Sequence, residues 1–363
     1  MAAVFRSERL LERVLESAVI RRFMPLLSLG MALSFWGAAP SASADSHYES
    51  VIKDAAYRAS IERPDGAAFV SLSEGVTYYR LANGESCTTA DVLVHGFSVP
   101  SYIWDPTYDF LVSNGRCVVT LDLYGRGFSD NPDVAYTDTL FAKQVLELLD
   151  HLQIKKANLL GLSNGGRVVS QLAGLAPERV EQLIYVASSG FRDVSRAANV
   201  DVSQAEIDEL VARYPELPAG QLSDFKDPTD FQGWDDKYAE LLVHKGFARA
   251  LISTRKNHDS RELDRIHAEL QASDIPVTTI WGDSDTVVVY ASFAEKLERL
   301  LPKRVEHFVP ESGHLPHMEN PAYFEAVLTE LLVARHGSTI RHSIRHSPFT
   351  DELVSVLAPF RLK

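Results

Sequence analysis

Gly161-Leu162-Ser163-Asn164-Gly165-Gly166 is the stretch on which the reading of this chain turns. It follows the apolar run 157–160 and leads into a segment, 164–175, whose Val168, Val169, Leu172 and Leu175 share one helical face before Pro177 ends it. A serine at a sharp strand-to-helix turn needs small residues two before and two after it, because side chains there would collide across the strained backbone. Gly161 and Gly165 meet that need. The position has a chemical consequence as well: unpaired N–H groups and the dipole at a helix N-terminus favour the negative charge that develops during acyl transfer. A Gly-rich turn carrying an idle Ser163 is the bland alternative.

On either side of this turn short apolar runs alternate with helical patterns, as in a mostly parallel sheet covered by helices on both faces. The runs are 91–94, 117–121, 157–160, 182–186, 277–281 and 305–309, each too short and continuous for an amphipathic helix. Ahead of them a polar stretch, 46–61, is expected to be helical, and 68–72 with 76–81 read as an edge hairpin around Glu74-Gly75. The segment 139–152 sets Phe141, Val145, Leu148, Leu149 and Leu152 on one helical face. The rhythm breaks between Phe191 and Ser273, where about 80 residues carry helical patterns, many charges and Trp234 but no strand. That stretch, 192–273, is read as a helical cap inserted between two parts of a core, 45–191 and 274–335, the second ending in a helix from 321 to about 335.

Three further segments follow strands of this scheme: His95-Gly96-Phe97, Trp281-Gly282-Asp283-Ser284-Asp285, and Gly313-His314-Leu315-Pro316-His317. An imidazole on the last of these loops can reach across the sheet top to Ser163, and its near-neutral pKa suits proton shuttling. His314 and His317 compete for that place, as Asp283 and Asp285 do on the preceding loop.

With these motifs in the order nucleophile, acid, base, the chain resembles the α/β-hydrolase superfamily, in its branch with a helical cap, over about residues 76–335. The resemblance implies the α/β-hydrolase fold with Ser163 as nucleophile. It makes His314, directly after Gly313, the general base, and Asp285, three residues after Gly282, the acid that orients it. Asp283 is then left pointing outward as a solvated loop residue. The Phe97 and Asn164 N–H groups would form the oxyanion hole, with His95 a buttress of that loop. Asp122-Leu123-Tyr124-Gly125-Arg126-Gly127-Phe128-Ser129 matches a structural loop of the family. A serine in place of an aspartate at the turn speaks against the haloalkane dehalogenase and epoxide hydrolase branches. No metal or organic cofactor is needed.

Such a triad most often serves ester hydrolysis, so the expected activity is that of a carboxylic ester hydrolase, esterase or lipase-like, acting on a small-molecule ester through an acyl-enzyme. Carbon–carbon bond hydrolysis, lactone opening and cofactor-free haloperoxidase activity use the same triad, and fold and triad alone do not choose among them. A non-catalytic ligand-binding protein on the same scaffold is the remote alternative. In the cap, Trp234 and Phe231 are expected to face the site and select the acyl group; the competing reading is that they only fasten the cap to the core.

Composition narrows the partners. With 363 residues, 45% hydrophobic and 23% charged content, the chain is globular and long enough for one large domain with an insertion. A formal charge of -13 opposes nucleic acid and anionic membranes and suits a neutral or cationic small substrate. Oligomeric state is not readable.

Residues 1–44 read as a signal peptide: Arg21-Arg22, an apolar run of about 14 residues from Met24, and the small residues of Ala42-Ser43-Ala44, with cleavage leaving Asp45 first. The run is short of the roughly 20 residues a spanning helix needs, so the mature protein is expected to be exported, periplasmic or extracellular, without a stable membrane anchor. Cys87 and Cys117, both in the exported part, either close a disulfide or stay as two buried thiols. The last residues, 336–363, fall outside the scheme as a solvated tail, and its His342 and His346 lack a third ligand for a metal.

Overall fold

The computed structural model describes residues 47–333. The expected signal segment, 1–44, and the tail with His342 and His346 lie outside the described residues.

The centre of the sheet is built from the most apolar runs. β1 (Ala67–Leu72) and β2 (Gly75–Ala82) form the expected hairpin, followed by β3 (Thr89–Val94), β4 (Val118–Leu121), β5 (Lys156–Leu162), β6 (Val180–Val186), β7 (Val277–Gly282) and β8 (Val305–Val309). They assemble in the order β1-β2-β4-β3-β5-β6-β7-β8. β1 and β2 pair antiparallel, as do β2 and β4, and every later pair is parallel. Val92, Leu93, Val94, Leu159, Leu160, Leu183 and Ile184 are fully buried, as strands covered on both faces require.

One face is covered by α3 (Asp138–His151) and α4 (Asn164–Leu175), between which Phe141, Val145, Val168 and Leu172 share one apolar cluster with β3 and β5; α1 (Ala55–Ser60) and α2 (Asp105–Ser113) precede them. Helix α3 starts at Thr137, whose side chain accepts from the Leu140 N–H. Only α1 survives of the helix expected over 46–61. The residues before it form a turn, with Glu49 at φ 53°, and a single bridge from Val51 to His244; the Glu49 N–H donates to Leu242 O at 3.1 Å and the Val51 N–H to Val243 O at 2.9 Å, and the Glu49 carboxylate takes the Gly246 and Ala248 N–H groups.

Between β6 and β7 the chain is helical, as expected of the cap: α5 (Gln204–Ala212), α6 (Leu217–Gln221), α7 (Trp234–Ala239), α8 (Phe247–Lys256) and α9 (Ser260–Ala272). Helix α9 corrects the expected boundary of 192–273: its Leu263, Ile266 and Leu270 pack toward the sheet, into the cluster that holds Val168 and Leu172, so it covers the core and does not belong to the cap. Beyond β7 come α10 (Ala294–Leu300), α11 (Pro316–Glu319) and α12 (Pro321–Leu328), the last running into a π-turn over Thr329–Val333. Among the described residues no helix is long and apolar enough to cross a membrane.

Cys87 and Cys117 are joined in a disulfide that ties the approach to β3 to the start of β4 across a separation of 30 residues. Closing a loop of that length removes about 3.5 kcal/mol of unfolded-chain entropy. The double variant Cys87→Ser/Cys117→Ser is expected to lose that much unfolding free energy in a urea titration. A loss under about 1 kcal/mol would mean that the bond does not constrain the unfolded chain.

Candidate active site

Strand β5 delivers Ser163 to the sheet's C-terminal edge, and α4 begins at the next residue. The turn between them is tight enough to force Ser163 to φ 50°, ψ -114°, a region costing about 1–3 kcal/mol for a side-chain-bearing residue. Neighbours hold it there. Its N–H donates to Val186 O at 2.9 Å, and its carbonyl accepts from the Gly166 and Ser189 N–H groups at 3.0 and 3.1 Å. The flanking glycines are obligatory on packing grounds: a Cβ on Gly161 would stand 2.6 Å from Gly165 O, and one on Gly165 only 2.3 Å from Val94 O. The residues adjoining the serine are therefore set by the backbone's own crowding.

His314 and Asp285 come together. The His314 Nδ1–H donates to Asp285 Oδ2 at 2.8 Å, and Asp285 Oδ1 accepts the Val287 and Val288 N–H groups at 2.8 and 2.9 Å. Both side chains are nearly inaccessible, at 5% and 3% exposure. Burial alone would lower the His314 pKa; the hydrogen bond and charge of Asp285, with the charges of Asp224 and Glu319, outweigh it and raise it above 6.5. The loop is braced by Glu319, which accepts from the Gly313 N–H at 2.8 Å, while the His314 N–H donates to Asp224 O at 2.8 Å.

The competing residues go elsewhere. His317 is buried and its Nε2–H donates to Ile103 O at 2.9 Å; burial lowers its pKa to about 4. Asp283 is exposed, but it is more than the solvated residue expected: it accepts from the Glu311 N–H at 3.2 Å and the Ser312 N–H at 3.4 Å, bracing the loop that carries His314.

Loop 95–97 lies against the serine, close enough that a Cβ on Gly96 would be 3.4 Å from Ser163 Cβ. His95 ties this loop to its neighbour, its Nε2 accepting the Leu123 N–H at 2.9 Å and its Nδ1–H donating to Gly96 O at 3.0 Å. Burial and the charge of Arg126 hold the ring neutral, with a pKa down at about 3. Asp122 takes the Ser101 N–H at 2.9 Å and the Phe128 N–H at 2.8 Å, so this acid has a structural task. Among the described residues neither the Phe97 N–H nor the Asn164 N–H donates to a protein acceptor, so both are available to an anion beside Ser163.

Ser163, His314, Phe97 and Asp224 line one cavity of about 190 Å³. A wider one, about 390 Å³, shares Phe97, Ser98 and Gln221 with it and extends under α5 and α8. Trp234 and Phe231 are found in the lining of neither. Phe231 stacks on Phe225 with centroids 3.9 Å apart, and Trp234 packs edge-on against Phe225 and Tyr102, at 5.7 and 5.6 Å. Their apolar surface is consumed in holding the segment between α6 and α7 to loop 98–104. The insertion reaches the serine cavity through Gln221 and Asp224 instead. These are polar residues without a periodic signal, and nothing in the sequence singles them out.

An imidazole fixed through Nδ1 presents Nε2 as a base, and the hydroxyl sharing its cavity is the group it can deprotonate. Among the described residues no group of three His, Cys, Asp or Glu side chains could hold a metal ion. Sheet order, elbow and site together define an α/β hydrolase. The Alpha/beta hydrolase family matches residues 92–327, and the chain belongs to that family. It is 32% identical over 237 residues to the dihydrolipoyllysine-residue acetyltransferase component of the acetoin cleaving system of Pseudomonas putida, covering 63% of this chain and 59% of that protein. It is also 24% identical to a putative 2-succinyl-6-hydroxy-2,4-cyclohexadiene-1-carboxylate synthase of Bacillus subtilis (strain 168), covering 74% of this chain and 99% of the relative. A crystal structure of a hydrolase from Pseudomonas aeruginosa PA01 superposes with a TM-score of 0.58 at 25% identity, covering 74% of this chain and 99% of that one.

Proposed function

We propose that the chain is an exported serine hydrolase of carboxylic esters, in which Ser163 is the nucleophile, His314 the general base, Asp285 its orienting acid, and the Phe97 and Asn164 N–H groups the oxyanion hole. The observation that carries this reading is the strained Ser163 turn opening into the same cavity as the Asp285-bound His314. His314 takes the Ser163 proton as Oγ attacks the ester carbonyl, the two N–H groups hold the oxyanion, and His314 returns the proton to the leaving alcohol. Water then repeats the sequence on the acyl-enzyme. Export rests on the signal-like residues 1–44 and is supported by the Cys87–Cys117 bond, which suits an oxidising compartment.

The names of the relatives span an acetyltransferase component, a carboxylate synthase and a hydrolase, so the family by itself leaves the scissile bond open. The test is a chain-length series of p-nitrophenyl esters combined with a fluorophosphonate probe. Stoichiometric labelling of Ser163 and turnover that falls with acyl length beyond about six carbons are expected, given the 190 Å³ serine cavity. Labelling without turnover of any ester would favour carbon–carbon bond cleavage on the same residues.

A further inference from the structure

The seam between the oxyanion loop and the cap carries a local charge of the opposite sign to the chain. Charged residues of the 390 Å³ cavity are Glu206, Glu209, Arg213, Arg255 and Lys256. Lys256 is taken up by Glu206, which leaves Arg213 and Arg255 against Glu209. The Arg255 guanidinium stands 5.5 Å from the centroid of the Phe97 ring, and that of the fully buried Arg126 stands 5.6 Å from the same ring. Arg126 donates to Phe97 O at 2.8 Å, to Tyr124 O at 3.1 Å and to Thr254 Oγ1 of α8 at 3.0 Å, none of them a carboxylate.

The His258 ring lies 6.4 Å from Phe97, its Nε2 buried and without a protein partner. Burial, then the charges of Arg167, Arg126, Arg255 and Arg192, keep it neutral with a pKa of about 3. Of these arginines Arg167 is matched by Asp138; among the described residues no carboxylate lies within ion-pair distance of Arg126, Arg192, Arg213 or Arg255. The net charge of -13 acts on an anion at long range and is screened within about 10 Å, whereas these guanidiniums act at contact. Among the described residues no arginine or lysine lines the serine cavity, where Asp224, its pKa raised by burial, stands beside His314.

We propose that the wider cavity receives a carboxylate carried at the end of the substrate's acyl chain and paired by Arg255 and Arg213, so that the preferred esters are half-esters of dicarboxylic acids. This rests on the ester-hydrolase reading of Ser163. Asp224 turns an anionic arm away from the serine cavity, and the opening past Phe97, Ser98 and Gln221 leads it to the arginines. A neutral chain gains nothing from them, while a carboxylate gains charge-assisted hydrogen bonds about twice as strong as neutral ones.

The test compares mono-p-nitrophenyl adipate with p-nitrophenyl hexanoate on the full chain. The half-ester is expected to have the higher kcat/KM by roughly tenfold or more, and Arg255→Met to reduce that ratio by roughly tenfold. Arg265→Met, an equal loss of charge at an exposed position of α9 where the side chain meets only Glu262 and Glu269, leaves both activities unchanged. A preference for the hexanoate, or a ratio that survives Arg255→Met, overturns the proposal and leaves the ester-hydrolase reading intact. Calorimetry on Ser163→Ala separates binding from turnover: monomethyl adipate should bind more tightly than methyl hexanoate, and Arg255→Met should abolish the difference. If neither p-nitrophenyl ester is hydrolysed, the ester-hydrolase reading fails and the calorimetric comparison alone decides the anion pocket.

Discussion

Ser163→Ala is expected to lower kcat on p-nitrophenyl butyrate by about 10⁶-fold, the scale on which removing the nucleophile acts in serine proteases. The variant should keep its fold. Alanine at φ 50° is no more strained than serine, and the backbone bonds to Val186, Gly166 and Ser189 do not involve Oγ. Thermal unfolding should therefore shift little while activity collapses, which separates a chemical role from a structural one. His314 without its hydroxyl partner has nothing to activate but water, and the oxyanion groups sustain only a small residue of catalysis. The double variant Ser163→Ala/His314→Ala should be no worse than either single one, because residues acting as a unit lose their effect together. Retention of more than about 1% of activity by Ser163→Ala would point to water as the attacking group, with His314 as its base.

How far this arrangement was legible follows from the range of the forces that set it. The elbow could be read because its constraint is local: contacts of 2.3 and 2.6 Å to neighbouring backbone exclude any Cβ at Gly165 and Gly161. Strands could be read because burial on both faces demands continuous Val, Leu and Ile. The turn and bridge of residues 47–51 could not, since their hydrogen-bond partners, Leu242 and Val243, lie almost two hundred residues away in sequence. Trp234 and Phe231 misled for a related reason. A large apolar side chain announces that it will be buried and not against what, and here Phe225 and Tyr102 consume it. Asp224, Arg126 and Arg255 were equally silent: their importance lies in which charges are missing around them, a property of three-dimensional neighbours alone. A net charge of -13 even pointed the other way.

Asp285→Asn is expected to lower kcat by about 10⁴-fold, the loss that the corresponding change causes in a serine protease triad, and Asp283→Asn by less than about tenfold. The difference follows from what each carboxylate holds. Asp285 Oδ1 is fixed by the Val287 and Val288 N–H groups, which leaves Oδ2 to accept from His314 Nδ1. An asparagine that keeps its oxygen on those N–H groups turns an NH₂ toward Nδ1, so the imidazole must carry its proton on Nε2 and can no longer act as a base there. Asp283 meets only backbone N–H groups and the Ser284 hydroxyl, and an amide oxygen serves them nearly as well. The pH dependence gives an independent check. His314 must be neutral to accept a proton, and its pKa is raised above 6.5 because Asp285 outweighs burial, so the acid limb of kcat/KM should lie above pH 6.5 and activity should fall as pH drops through it. In Asp285→Asn the largest raising influence is gone and the limb should move down. The same linkage fixes the sign for stability. A histidine whose folded pKa exceeds its unfolded value contributes stability below pH 6.5 that is lost as pH rises through the folded value. The stability gap between the native chain and Asp285→Asn should therefore be wider at pH 5 than at pH 9. Measured on one activated ester with both variants folded, a crippled Asp283→Asn beside a near-normal Asp285→Asn would reverse the assignment of the acid.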